Sequence, residues 1–288
     1  MSEIHIPSQS QWIEQKKRMR LFDEIDLAYI EIGDDPGKPL LMIHGFTDTS
    51  RTWSSLAGLL PNRRLIAIDL RGHGDSSSPE SGYAVDQLAR EMSEFLDRLE
   101  IDRVDVIGHS LGSLIAQALA AFFPDKVDKL ILVASGVRAP AGPGELLWEK
   151  ISPLRFPLDP QDEFISEWCR DALYVNAEFD HLSRWEVSKT PRHVWRSVLQ
   201  ALSITDLSHI QHLIQSELLI IWGDQDRAFR RSDQDDLINA HPNAIFLPVA
   251  GSGHAPHWVV ADMLAQKIES FLSGRLRSYC KEPEVLRP

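Results

Sequence analysis

Short apolar runs recur along the chain at residues 40–43, 65–68, 104–107, 130–133, 218–221 and 245–247. Each is continuous and rich in branched side chains, with little polar alternation. That pattern predicts strands covered on both faces. Ahead of them, residues 20–25 and 27–32 read as an antiparallel pair. Gly33 and the cluster Asp34-Asp35-Pro36-Gly37 then make a turn. Helical spacing fills the gaps: Leu88, Met92, Phe95, Leu96 and Leu99 share one face, as do Ile115, Leu119, Phe122 and Phe123, and later Val260, Leu264, Ile268 and Phe271. Alternation of strand and helix predicts an α/β fold, a mostly parallel sheet of about eight strands with helices on both faces.

The alternation breaks between Val137 and about His212. This stretch holds Pro140, Pro143, Pro153, Pro157, Pro160 and Pro191, with Trp148, Trp168, Trp185 and Trp195, and no clear strand run. It is too long for a bare loop and reads as a helical cap inserted over one end of the sheet. The predicted division is a core in two parts, 1–136 and 213–273, a helical cap at 137–212, and a flexible polar tail at 274–288.

Charge narrows the range of partners. With 42 acidic and 30 basic residues the formal net charge is −12. Such a chain repels phosphate backbones and anionic lipid surfaces, so neither a nucleic acid nor a membrane is expected as partner. The two cysteines, Cys169 and Cys280, cannot build a disulfide framework, and no Cys/His cluster has zinc spacing. They read as free thiols in a reducing compartment. The first 23 residues lack the apolar core of a signal peptide, and no apolar run approaches the ~18 residues of a membrane span. The expectation is a cytoplasmic protein with no cofactor and no metal; its oligomeric state is left open.

The strongest chemical signal is Gly108-His109-Ser110-Leu111-Gly112, directly after one predicted strand and opening a predicted helix. A serine on so sharp a turn is exposed above the sheet, and glycines on either side remove β-carbons that would collide. The turn also aims the Leu111 amide from a helix N-terminus, where negative charge is stabilised. A serine hydroxyl is a poor nucleophile at neutral pH and needs a base, which needs an orienting acid. His254, in Gly251-Ser252-Gly253-His254-Ala255-Pro256, follows the last predicted strand. Asp226, in Gly223-Asp224-Gln225-Asp226, follows the strand before it, with Asp224 as a competitor. Both loops lie at the carboxyl ends of parallel strands, where open α/β sheets place their sites. The other histidines have plainer accounts: His109 is inside the turn and is expected to point elsewhere, and His181, His193, His209 and His212 lie in the insertion. In His44-Gly45-Phe46, the Phe46 amide can face the same point as that of Leu111.

Taken together, His44-Gly45-Phe46, the segment Asp69-Leu70-Arg71-Gly72-His73-Gly74-Asp75-Ser76, the serine turn, Gly223–Asp226 and Gly253-His254 resemble the α/β-hydrolase fold family in its capped members. The resemblance covers roughly residues 20–273. It implies Ser110 as nucleophile, His254 as base, Asp226 as acid, and the Phe46 and Leu111 amides as an oxyanion hole, with a structural role for Asp69–Ser76. The family spacing favours Asp226 over Asp224, and residues 134–136 offer no carboxylate at the alternative acid position. Ser113 stands where many relatives carry a second glycine. Serine rather than aspartate at 110 argues against dehalogenase and epoxide-hydrolase chemistry.

The expected activity is hydrolysis of a small to medium carboxylic ester with an apolar portion, through an acyl-enzyme. A lactonase, an amidase, a carbon–carbon bond hydrolase, a cofactor-free perhydrolase and a silent binding protein of the same fold remain alternatives. The aromatics Trp148, Phe156, Phe164, Trp168, Tyr174, Phe179, Trp185 and Trp195 read either as a roof over the pocket or as the core of the cap itself.

Overall fold

The computed structural model describes residues 7–276. Cys280 and most of the tail expected at 274–288 lie outside the described residues. Eight strands form one sheet: β1 (Lys17–Arg20), β2 (Asp26–Ile32), β3 (Leu40–Ile43), β4 (Leu65–Ile68), β5 (Val104–His109), β6 (Val127–Val133), β7 (Glu217–Gly223) and β8 (Ile245–Val249). Their spatial order is β1-β2-β4-β3-β5-β6-β7-β8. β2 runs antiparallel to both neighbours, and every pairing from β4 to β8 is parallel.

The continuous apolar runs follow from this layering. Along β3, Leu41 and Ile43 enter one hydrophobic cluster with Val106, Leu130, Leu132, Leu218 and Ile220. Their neighbours Leu40 and Met42 enter another with Ile107, Ile131, Val133, Leu219 and Ile221. Successive side chains of a strand point to opposite faces, and here both faces are covered. The helices Val85–Arg98 and Leu111–Phe122 cover the first through Met92, Phe95, Ile115 and Leu119. The helix Ala261–Leu272 covers the second through Leu264, Ile268 and Phe271. Each fully buried aliphatic side chain contributes about 1.5–3 kcal/mol, so neither face tolerates polar alternation.

Two expectations are corrected. The first strand is Lys17–Arg20, not 20–25; Arg20 pairs with Asp26, and residues 21–25 form the connection, closed by Leu21 N–H donating to Ile25 O at 2.8 Å. β1 is an edge strand of mostly exposed polar residues, so it has no apolar run to reveal it, while Leu21 and Ile25 are buried as anchors of the turn. Phe122, expected on the buried face of its helix, is exposed.

Between β6 and β7 the chain forms the helices Leu146–Ile151, Glu163–Trp168, Ala177–Lys189 and Arg192–Ser203. An antiparallel bridge between Arg138 and Asp206, with Leu207 N–H donating to Val137 O at 2.8 Å, joins the two ends of the insertion. Residues Ser208–Leu213 beyond it pack on the core, where Gln211 Nε2 donates to Gln117 Oε1 at 2.8 Å. A buried ion pair ties the insertion to the core from the other side: Glu186 accepts from Arg51 at 2.8 Å and from the Thr49 hydroxyl at 2.8 Å. Among the described residues, no helix is long and apolar enough to cross a membrane.

Candidate active site

Ser110 follows β5 directly and caps the start of the helix Leu111–Phe122 with φ +52° and ψ −116°, a conformation that costs a non-glycine residue of order 1–3 kcal/mol. The surroundings hold it there. Its N–H donates to Val133 O at 3.0 Å, extending the ladder, and its carbonyl lies 2.5 Å from the Ser113 hydroxyl. Ser113 also lies 2.7 Å from Ser135 Oγ, so the serine found in place of a glycine belongs to a buried polar network under the turn. A β-carbon on Gly112 would stand 2.2 Å from Ile43 O, and one on Gly108 would stand 2.3 Å from Gly112 O. Only glycine lets the helix start this close to β3 and β5.

Asp226 and His254 come from adjacent loops in backbone contact. A β-carbon on Gly223 would meet Gly253 O at 2.1 Å, and Gln225 N–H donates to Ser252 O at 2.9 Å. Across this seam Asp226 Oδ2 lies 2.9 Å from His254 Nδ1. The other carboxylate oxygen, Oδ1, accepts from the amides of Ala228 at 2.8 Å and Phe229 at 3.2 Å. The Asp226 side chain is wholly buried. Asp224 is exposed and accepts from Gly251 N–H at 2.8 Å, bracing the loop and not the imidazole. Geometry therefore separates the two aspartates.

Ser110 and His254 line one cavity of about 190 Å³, together with the side chain of Phe46. No hydrogen bond joins the Ser110 hydroxyl to His254 among the described residues; such contacts often tighten only with substrate in place. Neither the Phe46 amide nor the Leu111 amide has a hydrogen-bond partner among the described residues. The loop bearing Phe46 is held by the insertion, since Trp168 Nε1–H donates to Thr47 Oγ1 at 2.8 Å and the Phe46 ring packs edge-on against Trp195 at 5.1 Å.

Burial alone would push the His254 imidazole down. The charge of Asp226 and its hydrogen bond, with Asp48 and Asp171 beyond, outweigh burial and hold it above the usual histidine value. Burial, then the nearby His109 and His254, push His257 well below that value, so it stays neutral. Cys169 also lines the cavity, but burial first, and Asp48 second, push its thiol up. A thiol held protonated is no rival to Ser110 as nucleophile.

Of the aromatics considered as a roof, Trp168 lines the cavity. Phe156, Phe164 and Trp195 pack with it into the insertion's own aromatic core, at ring separations of 5.5–6.2 Å. Tyr174 and Trp185 are exposed. The cavity lining includes the apolar Leu146, Leu147, Leu202 and Trp258 and the charged Asp48, Lys150, Glu167, Arg170, Asp171 and Arg227. The charged members gave no signal in the sequence, because they are scattered over four segments. His109 also lines the cavity, contrary to the expectation that it points away. Among the described residues, no group of three or more His, Cys, Asp or Glu could hold a metal ion.

Comparison with known proteins finds similar chains and similar folds. A family model described as alpha/beta hydrolase fold matches residues 38–157. The chain is 27% identical over 253 residues to the dihydrolipoyllysine-residue acetyltransferase component of the acetoin cleaving system of Pseudomonas putida, covering 85% of this chain and 66% of that protein. It is 29% identical over 259 residues to a poly(3-hydroxyalkanoate) depolymerase of Ectopseudomonas oleovorans, covering 86% and 90%. The crystal structure of a hydrolase from Pseudomonas aeruginosa PA01 matches with a TM-score of 0.77 at 25% identity, over 89% of this chain and 98% of that one. Several other curated relatives are matched over only 30–41% of their own length. The chain thus has the α/β-hydrolase fold, and its residues 38–157 are similar to the family of that description.

Proposed function

We propose that the protein is a serine hydrolase that cleaves a small to medium carboxylic ester through an acyl-enzyme. The observation that carries this reading is the 2.9 Å Asp226–His254 contact opening on the cavity that Ser110 lines. With His254 Nδ1–H donating to Asp226, the bare Nε2 is free to take a proton. Ser110 Oγ adds to the substrate carbonyl as its proton passes to His254 Nε2, and the Phe46 and Leu111 amides stabilise the oxyanion. Collapse expels the alcohol, which receives that proton. Water then attacks the acyl-enzyme with His254 again as base, and Ser110 is regenerated. Asp226 fixes the tautomer and stabilises the imidazolium.

The mixed lining, with Leu146, Leu147 and Trp258 beside charged groups of both signs, supports a substrate that has an apolar and a polar part. A soluble small molecule fits this better than a nucleic acid or a membrane. A fluorophosphonate that labels the wild type and not Ser110→Ala tests the nucleophile. A panel of p-nitrophenyl esters, lactones and anilides tests the bond type. Absence of labelling would defeat the reading, and faster turnover of lactones or anilides would redirect it.

A further inference from the structure

His109 directly precedes the serine, yet its ring crosses to the loop of the base. Its Nε2 lies 2.9 Å from the backbone carbonyl oxygen of His254. A carbonyl only accepts, so Nε2 must carry the hydrogen and donate it. The other ring nitrogen, Nδ1, is buried, has no hydrogen-bond partner and stands 3.5 Å from Asp48 Oδ2. The ring lies 4.9 Å from that of His254 and 4.4 Å from that of His257, centroid to centroid. A β-carbon on Gly45 would stand 2.8 Å from His109 Nδ1, so the turn after β3 also closes on this imidazole. His109 thus touches three loops at once: its own serine turn, the loop after β3 that bears Phe46 and Asp48, and the loop after β8 that bears His254.

We propose that His109 is a positioning residue, which sets the placement of His254 relative to Ser110 and Asp226 by donating to the His254 backbone carbonyl. The assignment rests on the serine-hydrolase reading for its catalytic consequence, but the placement of His254 can be read without activity. Direct contact with substrate is not required of His109. Its effect passes through the base: a loop that loses this tether lets the imidazole drift from both partners, and a displacement of about 1 Å in such a constellation costs on the order of 10² in rate.

The test compares His109→Leu, which removes the donor, with His109→Gln, whose Nε2 can donate from nearly the same place. Two quantities are read in folded protein. One is the titration of the His254 ring by NMR. The charged and titratable groups facing that ring are Asp226 on the loop after β7, Asp48 after β3, Asp171 in the insertion, and His109 and His257. The other is kcat and KM on p-nitrophenyl acetate. The expected result is that His109→Leu moves the His254 titration back toward the ordinary value of about 6.5 and lowers kcat about 10²-fold, with a much smaller change in KM. His109→Gln restores most of both. An unchanged His254 titration in His109→Leu, or a glutamine variant no better than leucine, overturns the proposal. If the leucine variant does not fold, His109→Met takes its place. If the wild type neither hydrolyses esters nor reacts with fluorophosphonate, the serine-hydrolase reading fails separately, and the titration alone decides the role of His109.

Discussion

Asp226 and His254 lie 28 positions apart in sequence and meet at 2.9 Å, with the carboxylate wholly buried and both its oxygens engaged. Two backbone amides fix the plane of the carboxylate, and the carboxylate fixes the imidazole ring. Asp226→Asn should leave the fold intact and lower kcat by about 10⁴-fold, because the carboxamide can present its N–H and favour the wrong tautomer. Asp224→Asn, which alters only the acceptor for the Gly251 amide, should cost about 1 kcal/mol of stability or less and leave kcat nearly unchanged. Parallel kinetics of the two variants check this; equal losses would show that Asp226 is not the acid.

Removal of the Ser110 hydroxyl should be far more severe. Ser110→Ala is expected to lose on the order of 10⁶ in kcat while gaining slightly in stability, since alanine at φ +52° keeps the strain but no polar atom is left to desolvate. Rate measurements on extensively purified protein, with labelling as a control for contaminants, provide the check.

As the proposed base, His254 must be neutral to act, and its folded-state value is raised by Asp226, Asp48 and Asp171 against the opposing effect of burial. Activity should therefore rise with pH through a midpoint above the ordinary histidine value of about 6.5. Stability has the opposite sign: the folded state holds the His254 proton more tightly than the unfolded chain, so this stabilisation is complete below about 6.5 and is lost as pH rises through the folded value. Asp48→Asn removes one of the raising charges and should move the activity midpoint down. A pH profile of kcat/KM for both proteins decides the matter, and a midpoint that stays put would exclude Asp48 from the field at His254.

The Arg51–Glu186 pair has both side chains almost wholly out of water, at 1% and 8% exposure. Replacing one member leaves the other charge without compensation. Glu186→Ala should therefore lower unfolding stability by about 3–5 kcal/mol, and a urea titration gives the value directly. A change below about 1 kcal/mol would mean that the charge left behind finds water.

The parallel strands were legible because each buries both faces, leaving runs such as Leu40–Ile43 with no polar position. β1 was not, because an edge strand reading Lys-Arg-Met-Arg carries no such signal. Ser110 was legible from its glycines, and Asp226 from its spacing to Gly223. The role of His109 was not: it depends on a ring reaching a carbonyl 145 positions away, and nothing local to the turn encodes that contact. The shared cavity lining of Lys150, Arg170 and Arg227 was hidden for the same reason, since it joins residues of the insertion to one of the loop after β7.

The ion pair at Glu186 also bears on how molecules reach Ser110. It anchors the helix Ala177–Lys189 against the core, and Trp168 is tied down at Thr47. Lifting that side of the roof would strip two charges of their counterparts. Opening of the cavity by displacement of that helix is therefore opposed by about 3–5 kcal/mol.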